Sequence, residues 1–454
     1  MKKRVRGSRF QTALTAFSGI FVVGLSAITG PLIGRSLGAA GKGDLAAVTV
    51  PPEMFGYLLA FGLPVATLYY ADRYTTKQLI MSTWVFSLIV GGMVVTGLWW
   101  LIPSYLHGHN HEDVPWLRAY LVVMTSYVPV SASVELLRHR QSLVAYNALR
   151  ATFVLTINTG AIVLLAIVGR LDLTTAIEAA IGSQVVWHLT VLIYCRAWPN
   201  RSFQRRVLQT QLGYGSRLVL GSLSEVVVAR LDQLLLIGLV SPSELGIYTV
   251  AATAAGVSGP AAWGIALALF PRIRRADSEK DARRATKEAV KWAVLSSATI
   301  AVLVAATAPK VLPLLFGSQF RGALHPLWIM LPGQVALDLG NVISQKLMAD
   351  NTPGDLSKAY AFAAVVTVVG LTLTVAHWGV IAAAVVTSVS EFCYLGFLAW
   401  KLYRNYRRPV TVPSSAPVEA PLQGGAADLI AGAAFPEPGP IGPTSRGPVP
   451  GDEL

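Results

Sequence analysis

A helix needs about 20 predominantly apolar residues to cross a lipid bilayer, and stretches of that length recur along this chain of 454 residues. They centre near residues 22, 57, 91, 127, 156, 185, 226, 256, 302, 334, 368 and 391. The recurrence leaves one fold class, an all-α polytopic membrane protein with about twelve transmembrane helices. The stretches near 57, 127 and 226 carry internal charge or proline and are the weakest. The pair within 357–402 has almost no loop between its members. Composition agrees, with 53% hydrophobic and 13% charged residues, about half the charge of an ordinary soluble domain. The opening "MKKRVRGSRFQTALTAFSGIFVVGLSAITG" has too long an apolar region for a signal peptide and no small-x-small site after a short core. It reads as the first span.

The net charge of +13 invites a nucleic-acid reading, which its distribution excludes. With the N-terminus on the cytoplasmic side, that side receives "MKKRVRGSR", Arg73 and Lys77, Arg138 and Arg140, and "CRAWPNRSFQRR". It also receives "PRIRRADSEKDARRATK", Lys346, Lys358 and "KLYRNYRR". The opposite loops hold Arg35, Lys42, Arg118, Arg170, Lys310 and Arg321. The asymmetry follows the positive-inside rule. It implies an even number of spans in the plasma membrane, with both termini cytoplasmic and a contribution from anionic headgroups. Cys195 and Cys393 fall in or near spans, so no disulfide framework or thiolate metal site is expected.

The chain repeats itself at half its membrane-spanning length. "LIGRSLGAAGKGDLAAVTV" and "LIGLVSPSELGIYTVA" each end a span in "LIG", turn, and open the next helix at Gly43 or Gly246. Such parallel repeats are related by an axis along the membrane normal. Residues 1–200 and 201–407 are therefore expected as six-helix lobes related by pseudo-two-fold symmetry. Residues 408–454, rich in Pro, Gly and Ala, are expected as a disordered cytoplasmic tail. Its final "GDEL" is an inexact ER-retention signal on the wrong side of the membrane.

Three segments carry a family likeness: "GPLIGRSLGAAGKGDLAAVTV", "RLDQLLLIGLVSPSELGIYTVA" and "LLFGSQFRGALHPLWIMLPGQVALDLGNVISQKLMADNTP". In order and spacing, over roughly 400 residues, the chain resembles the polysaccharide-exporting (Wzx-like) flippases of the multidrug/oligosaccharidyl-lipid/polysaccharide (MOP) superfamily. The resemblance implies a MATE-like fold that flips a lipid-linked oligosaccharide or polysaccharide precursor by alternating access. The implied substrate is a polyprenyl-pyrophosphate-linked glycan, and the implied partners are membrane lipids and the glycosyltransferases or polymerase of the same pathway. No cofactor is expected beyond coupling to H+ or Na+.

Such a substrate asks for cations facing a wet cleft, and an ionisable residue at the bilayer centre costs at least ~2.5–3.5 kcal/mol. The candidate phosphate-binding residues are Arg150, Arg230 and Arg217. Arg217 is near enough to an interface to snorkel; Arg35 and Lys310 are interfacial. Glu53, Glu225, Asp232, Asp338 and His188 are the coupling or cavity polar candidates, with Asn341 and Glu391 beside them. Glu225 and Asp232 share a helix face, whereas Arg230 points roughly 200° away from Asp232. Each acid is either a coupling group or an interhelical partner, and for Glu391 an interhelical ion pair is expected. His188 and Gln184, one turn apart, either line the cleft or bond between helices. "HGHNHED" (107–113) reads as a solvated loop, not a metal site.

A multidrug or small-molecule exporter of the same superfamily is the alternative, with an acidic or aromatic cleft. A peptidoglycan-precursor flippase would carry two more spans. A membrane-embedded polysaccharide polymerase would need a large outer loop bearing arginines, which is absent from this sequence. Zinc motifs, nucleotide loops and nucleophile elbows are absent as well, so an enzyme is not expected.

Overall fold

The computed structural model describes residues 2–106, 113–139, 143–149, 153–274, 276, 278–350 and 353–407. Among them the regular elements are helical. Seven helices are long and apolar enough to cross a membrane, and the pair Asp113–Met124 and Tyr127–His139, bent by 42°, makes an eighth. Two of the seven are hairpins run together. Lys2–Ala60 breaks at Gly38 (φ 71°) and Pro353–Arg407 at Gly379 (φ 54°), a left-handed conformation that a Cβ disfavours. Arg205–Ile237 and the short apolar Phe153–Ile167 complete twelve spans.

Along the chain the spans are 2–37, 39–69, 76–105, 113–139, 143–147 with 153–167, 173–195, 205–237, 242–274, 279–316, 318–349, 353–378 and 380–407. Two of the interruptions fall at or beside residues that break helices. Left-handed Phe61 and Gly62 divide the second span before Leu63–Tyr69. The bend of the fourth span lies just before Pro129, which has no N–H to give the helical ladder. Large apolar side chains such as Met93, Trp100, Val302 and Leu373 stay exposed, as expected of a surface solvated by lipid.

The spans form two six-helix lobes, and their symmetry is visible at atomic range. Lipid tails are as apolar as leucine, so helices in a bilayer associate through close packing at small residues. A Cβ on Gly43 would lie 1.8 Å from the carbonyl oxygen of Pro242, and one on Gly246 would lie 1.9 Å from that of Ala39. Ala39 and Gly43 on the second span correspond to Pro242 and Gly246 on the eighth. The contact is thus self-complementary, as packing on a two-fold axis must be. The flanking contacts repeat the pattern: Gly34 lies against Phe316 of the ninth span, and its equivalent Gly238 against Tyr105 of the third.

Polar bonds reinforce this end of the bundle. Tyr105 donates to the carbonyl of Leu234 at 2.5 Å. Arg35 donates to the carbonyls of Leu314 and Leu315, the latter at 2.9 Å, capping the end of the ninth span. At the other end, which carries the basic loops, the second and seventh spans meet. Gly62 lies against Gly215, Gln211 donates to Thr67 at 2.8 Å, and Tyr69 stacks on Tyr214 at 4.4 Å.

Candidate functional site

Between these two seams the lobes face each other again through the second and seventh spans. Met54 and Leu231 pack together there, with Tyr57, Leu58, Leu234 and Leu235 around them. Arg230, which precedes Leu231, is exposed. Its guanidinium donates to Gln233 Oε1 at 3.2 Å and acts electrostatically on both Glu53 and Asp232.

Glu53 follows Pro51 and Pro52 on the second span and is half-buried. The Tyr120 side chain, 1% exposed, neighbours it, with Gln184 of the sixth span beyond. One turn further along the sixth span, His188 is 3% exposed. Its Nδ1 pairs with Ser126 Oγ at 2.8 Å, while its Nε2 has no hydrogen-bond partner. His188 thus bonds between helices, whereas Gln184 Oε1 is buried without a hydrogen-bond partner. Tyr57 meets Tyr127 edge-on at 5.2 Å beside them.

On the C-terminal side Asp232 is 4% exposed, on a different face of its helix from Arg230. Tyr248 of the eighth span donates to Asp232 Oδ2, the Gln233 N–H donates to Oδ1 at 2.7 Å, and Thr387 of the twelfth span donates to Oδ2 at 3.5 Å. Asp338 on the tenth span is fully satisfied. Ser258 and Ser297 each donate to its Oδ2 at 2.7 Å, and Gln334 donates to Oδ1 at 2.9 Å.

Glu391 departs from the sequence expectation. The charges acting on it are those of Asp232 and Asp338, two further carboxylates where an ion-pair partner was expected. Its Oε2 is buried without a hydrogen bond and packs where a Cβ on Gly333 would stand. Among the described residues Glu391 therefore has two acids in its electrostatic surroundings and not the interhelical ion pair expected of it. Sequence separation hid this, because the three come from the seventh, tenth and twelfth spans. Asn341, one turn along from Asp338, lies 3.5 Å from the Tyr394 hydroxyl.

Arg150 lies outside the described residues, as do the side chains of Arg217 and Glu225 and most of the histidine loop. Arg35 closes the end of the bundle away from the basic loops, and Lys310 is exposed. The sequence reading missed Tyr120, Gln233, Tyr248 and Thr387. A tyrosine or threonine in an apolar helix gives no sign of which distant carboxylate it will meet.

Comparisons with known proteins place this arrangement. A family model described as polysaccharide biosynthesis protein matches residues 11–277. Protein 1 of the Lsg locus of Haemophilus influenzae is 23% identical over 309 residues, covering 65% of this chain and 73% of that protein. Among solved structures, the inward-facing conformation of a multidrug resistance MATE family transporter of the MOP superfamily superposes with a TM-score of 0.67. Its identity is 19%, over 86% of this chain and 98% of that one. The lipid II flippase MurJ in an inward closed conformation gives a TM-score of 0.68 at 11% identity, over 87% of this chain and 88% of that one. At these identities the structural matches establish the fold.

Proposed function

The chain belongs to the polysaccharide biosynthesis protein family, and from that membership we propose that it is a flippase. It moves a lipid-linked oligosaccharide or polysaccharide precursor between leaflets by alternating access. The observation that carries the reading is Arg230, a cation exposed at the seam of two lobes of an apolar bundle. A pyrophosphate needs such a donor, since guanidinium–phosphate bonds are charge-assisted and bidentate. The sugar headgroup needs the wet cleft between lobes, and the polyprenyl tail can remain in lipid. Arg150 and Arg217 are further phosphate-binding residues on this reading.

Residues 1–200 and 201–407 are the rocking lobes, and the chain acts as a carrier with no chemical step of its own. The basic loops orient it in the plasma membrane with both termini cytoplasmic. Glycosyltransferases supply the glycan on one side, and a polymerase receives it on the other. The acids Asp232, Asp338 and Glu391 form the coupling site, because buried carboxylates that act on one another persist only with shared protons or a bound cation. Glu225, on the face of Asp232, belongs with them. One observation favours the multidrug reading: the acidic and aromatic set Glu53, Tyr57 and Tyr127 lies on the same seam.

Reconstitution with a fluorescent polyprenyl-pyrophosphate glycan separates the two. Arg230→Ala and Arg150→Ala are each expected to slow leaflet transfer at least about tenfold, the scale for truncating one partner of a charge pair. Transfer at the wild-type rate in both variants would sink the reading, and efflux of organic cations without glycan transfer would establish the exporter instead.

A further inference from the structure

The dry contact of Met54 with Leu231 has a charge immediately before each partner. These are Glu53 on the second span and Arg230 on the seventh. Each has a polar neighbour in its own lobe. The buried Tyr120 lies beside Glu53. Gln233, 6% exposed, holds Arg230. The two opposite charges thus flank one contact across the seam, and Arg230 acts electrostatically on Glu53. Asp232, the other acid acting on Arg230, is already committed to Tyr248 and Thr387 inside the C-terminal lobe.

We propose that Glu53 is the resident counter-anion of Arg230, and that it sets how tightly and how long Arg230 holds an anionic headgroup. The proposal rests on the reading of Arg230 as the phosphate-binding group. In the empty carrier Glu53 offsets the guanidinium charge across the seam. A diphosphate presents more charge and a bidentate geometry, so it displaces the carboxylate. The displaced Glu53 then stands beside the bound anion and repels it, which favours release. Because the two charges ride on different lobes, the exchange of partners also alters the attraction between the second and seventh spans. Loading is thereby coupled to the parting of the Met54–Leu231 contact, since a ligand shifts a conformational equilibrium by its differential affinity for the two states.

The test uses the full chain in detergent and farnesyl diphosphate as the probe. Glu53→Gln keeps the size of the side chain and removes its charge. It is expected to tighten binding about five- to thirtyfold, within the usual range of coupling between sites, and to slow dissociation correspondingly. In an Arg230→Gln background the same substitution is expected to change affinity by less than about twofold, because coupling vanishes when one partner is absent. Glu53→Asp, which keeps the charge, should remain close to wild type. Unchanged affinity in Glu53→Gln, or equal tightening in both backgrounds, overturns the proposal while leaving the phosphate site standing. If wild type binds the probe no better than Arg230→Gln does, the reading of Arg230 itself is overturned.

Discussion

Asp338 and Glu391 are buried acids of one lobe with opposite circumstances. Asp338 accepts from Ser258, Ser297 and Gln334, so both its oxygens are satisfied. Glu391 keeps an oxygen without a partner, and two other carboxylates act on it. The same isosteric change should therefore act differently at the two positions. Asp338→Asn turns one oxygen into a donor that faces hydroxyl or amide donors, and such a mismatch costs about 1–3 kcal/mol. Glu391→Gln removes one of the like charges and should cost less than Asp338→Asn, or stabilise. Thermal unfolding in detergent measures both, and the reverse order would refute this account of the acids. The candidates were legible in the sequence because a carboxylate inside an apolar run has few reasons to be there. Their partners were not. Tyr248 and Thr387 reach Asp232 from two other spans, and helical periodicity resolves only the neighbours on one helix.

At the scale of elements, hydropathy found the spans because lipid demands long apolar helices, and twelve stretches became twelve spans. It left almost no loop between the eleventh and twelfth spans, where the turn is the single glycine at 379, but it could not see that the fourth span is bent by 42° in mid-course. The repeat glycines were visible as a pattern, but their contact was not. Gly43 and Gly246 are equivalent in sequence and meet on the symmetry axis, each facing a backbone carbonyl of the other helix. Backbone has no rotamer with which to yield. Gly43→Ala or Gly246→Ala must therefore push the second and eighth spans apart, at about 1–3 kcal/mol for overpacking. Because both substitutions disrupt one contact, the double variant should lose less than the sum of the two singles. The closed end should also loosen. Leu236, fully buried here, is expected to become reactive to an impermeant maleimide as Leu236→Cys in either alanine background. Its continued protection, together with unchanged stability, would show that the glycine contact is dispensable.

For the whole molecule, the two seams constrain how a carrier of this shape can work. The end away from the basic loops is closed by the symmetric joint, by Tyr105 on Leu234 and by Arg35 on the ninth span. The basic end is closed between the second and seventh spans by Gln211 on Thr67 and Tyr69 on Tyr214. The second span takes part in both closures, and Glu53 and Arg230 lie between them. A substrate that crosses from leaflet to leaflet must meet each seam open at some stage, though not both together. Tethering either one should then arrest the cycle. A short bis-maleimide bridging Thr67→Cys and Gln211→Cys, or Tyr105→Cys and Leu234→Cys, is expected to lower leaflet transfer at least about tenfold, because the tether removes one of the two states between which the carrier must shift. The same pairs left unbridged should retain transfer. The two tethers differ in what they trap, since each leaves the opposite seam free to part. Bridging at the basic end should leave Leu236→Cys able to react from the far side, and bridging at the far end should protect it. Transport that continues with either seam held shut would mean that the glycan passes by a route other than the cleft between the lobes.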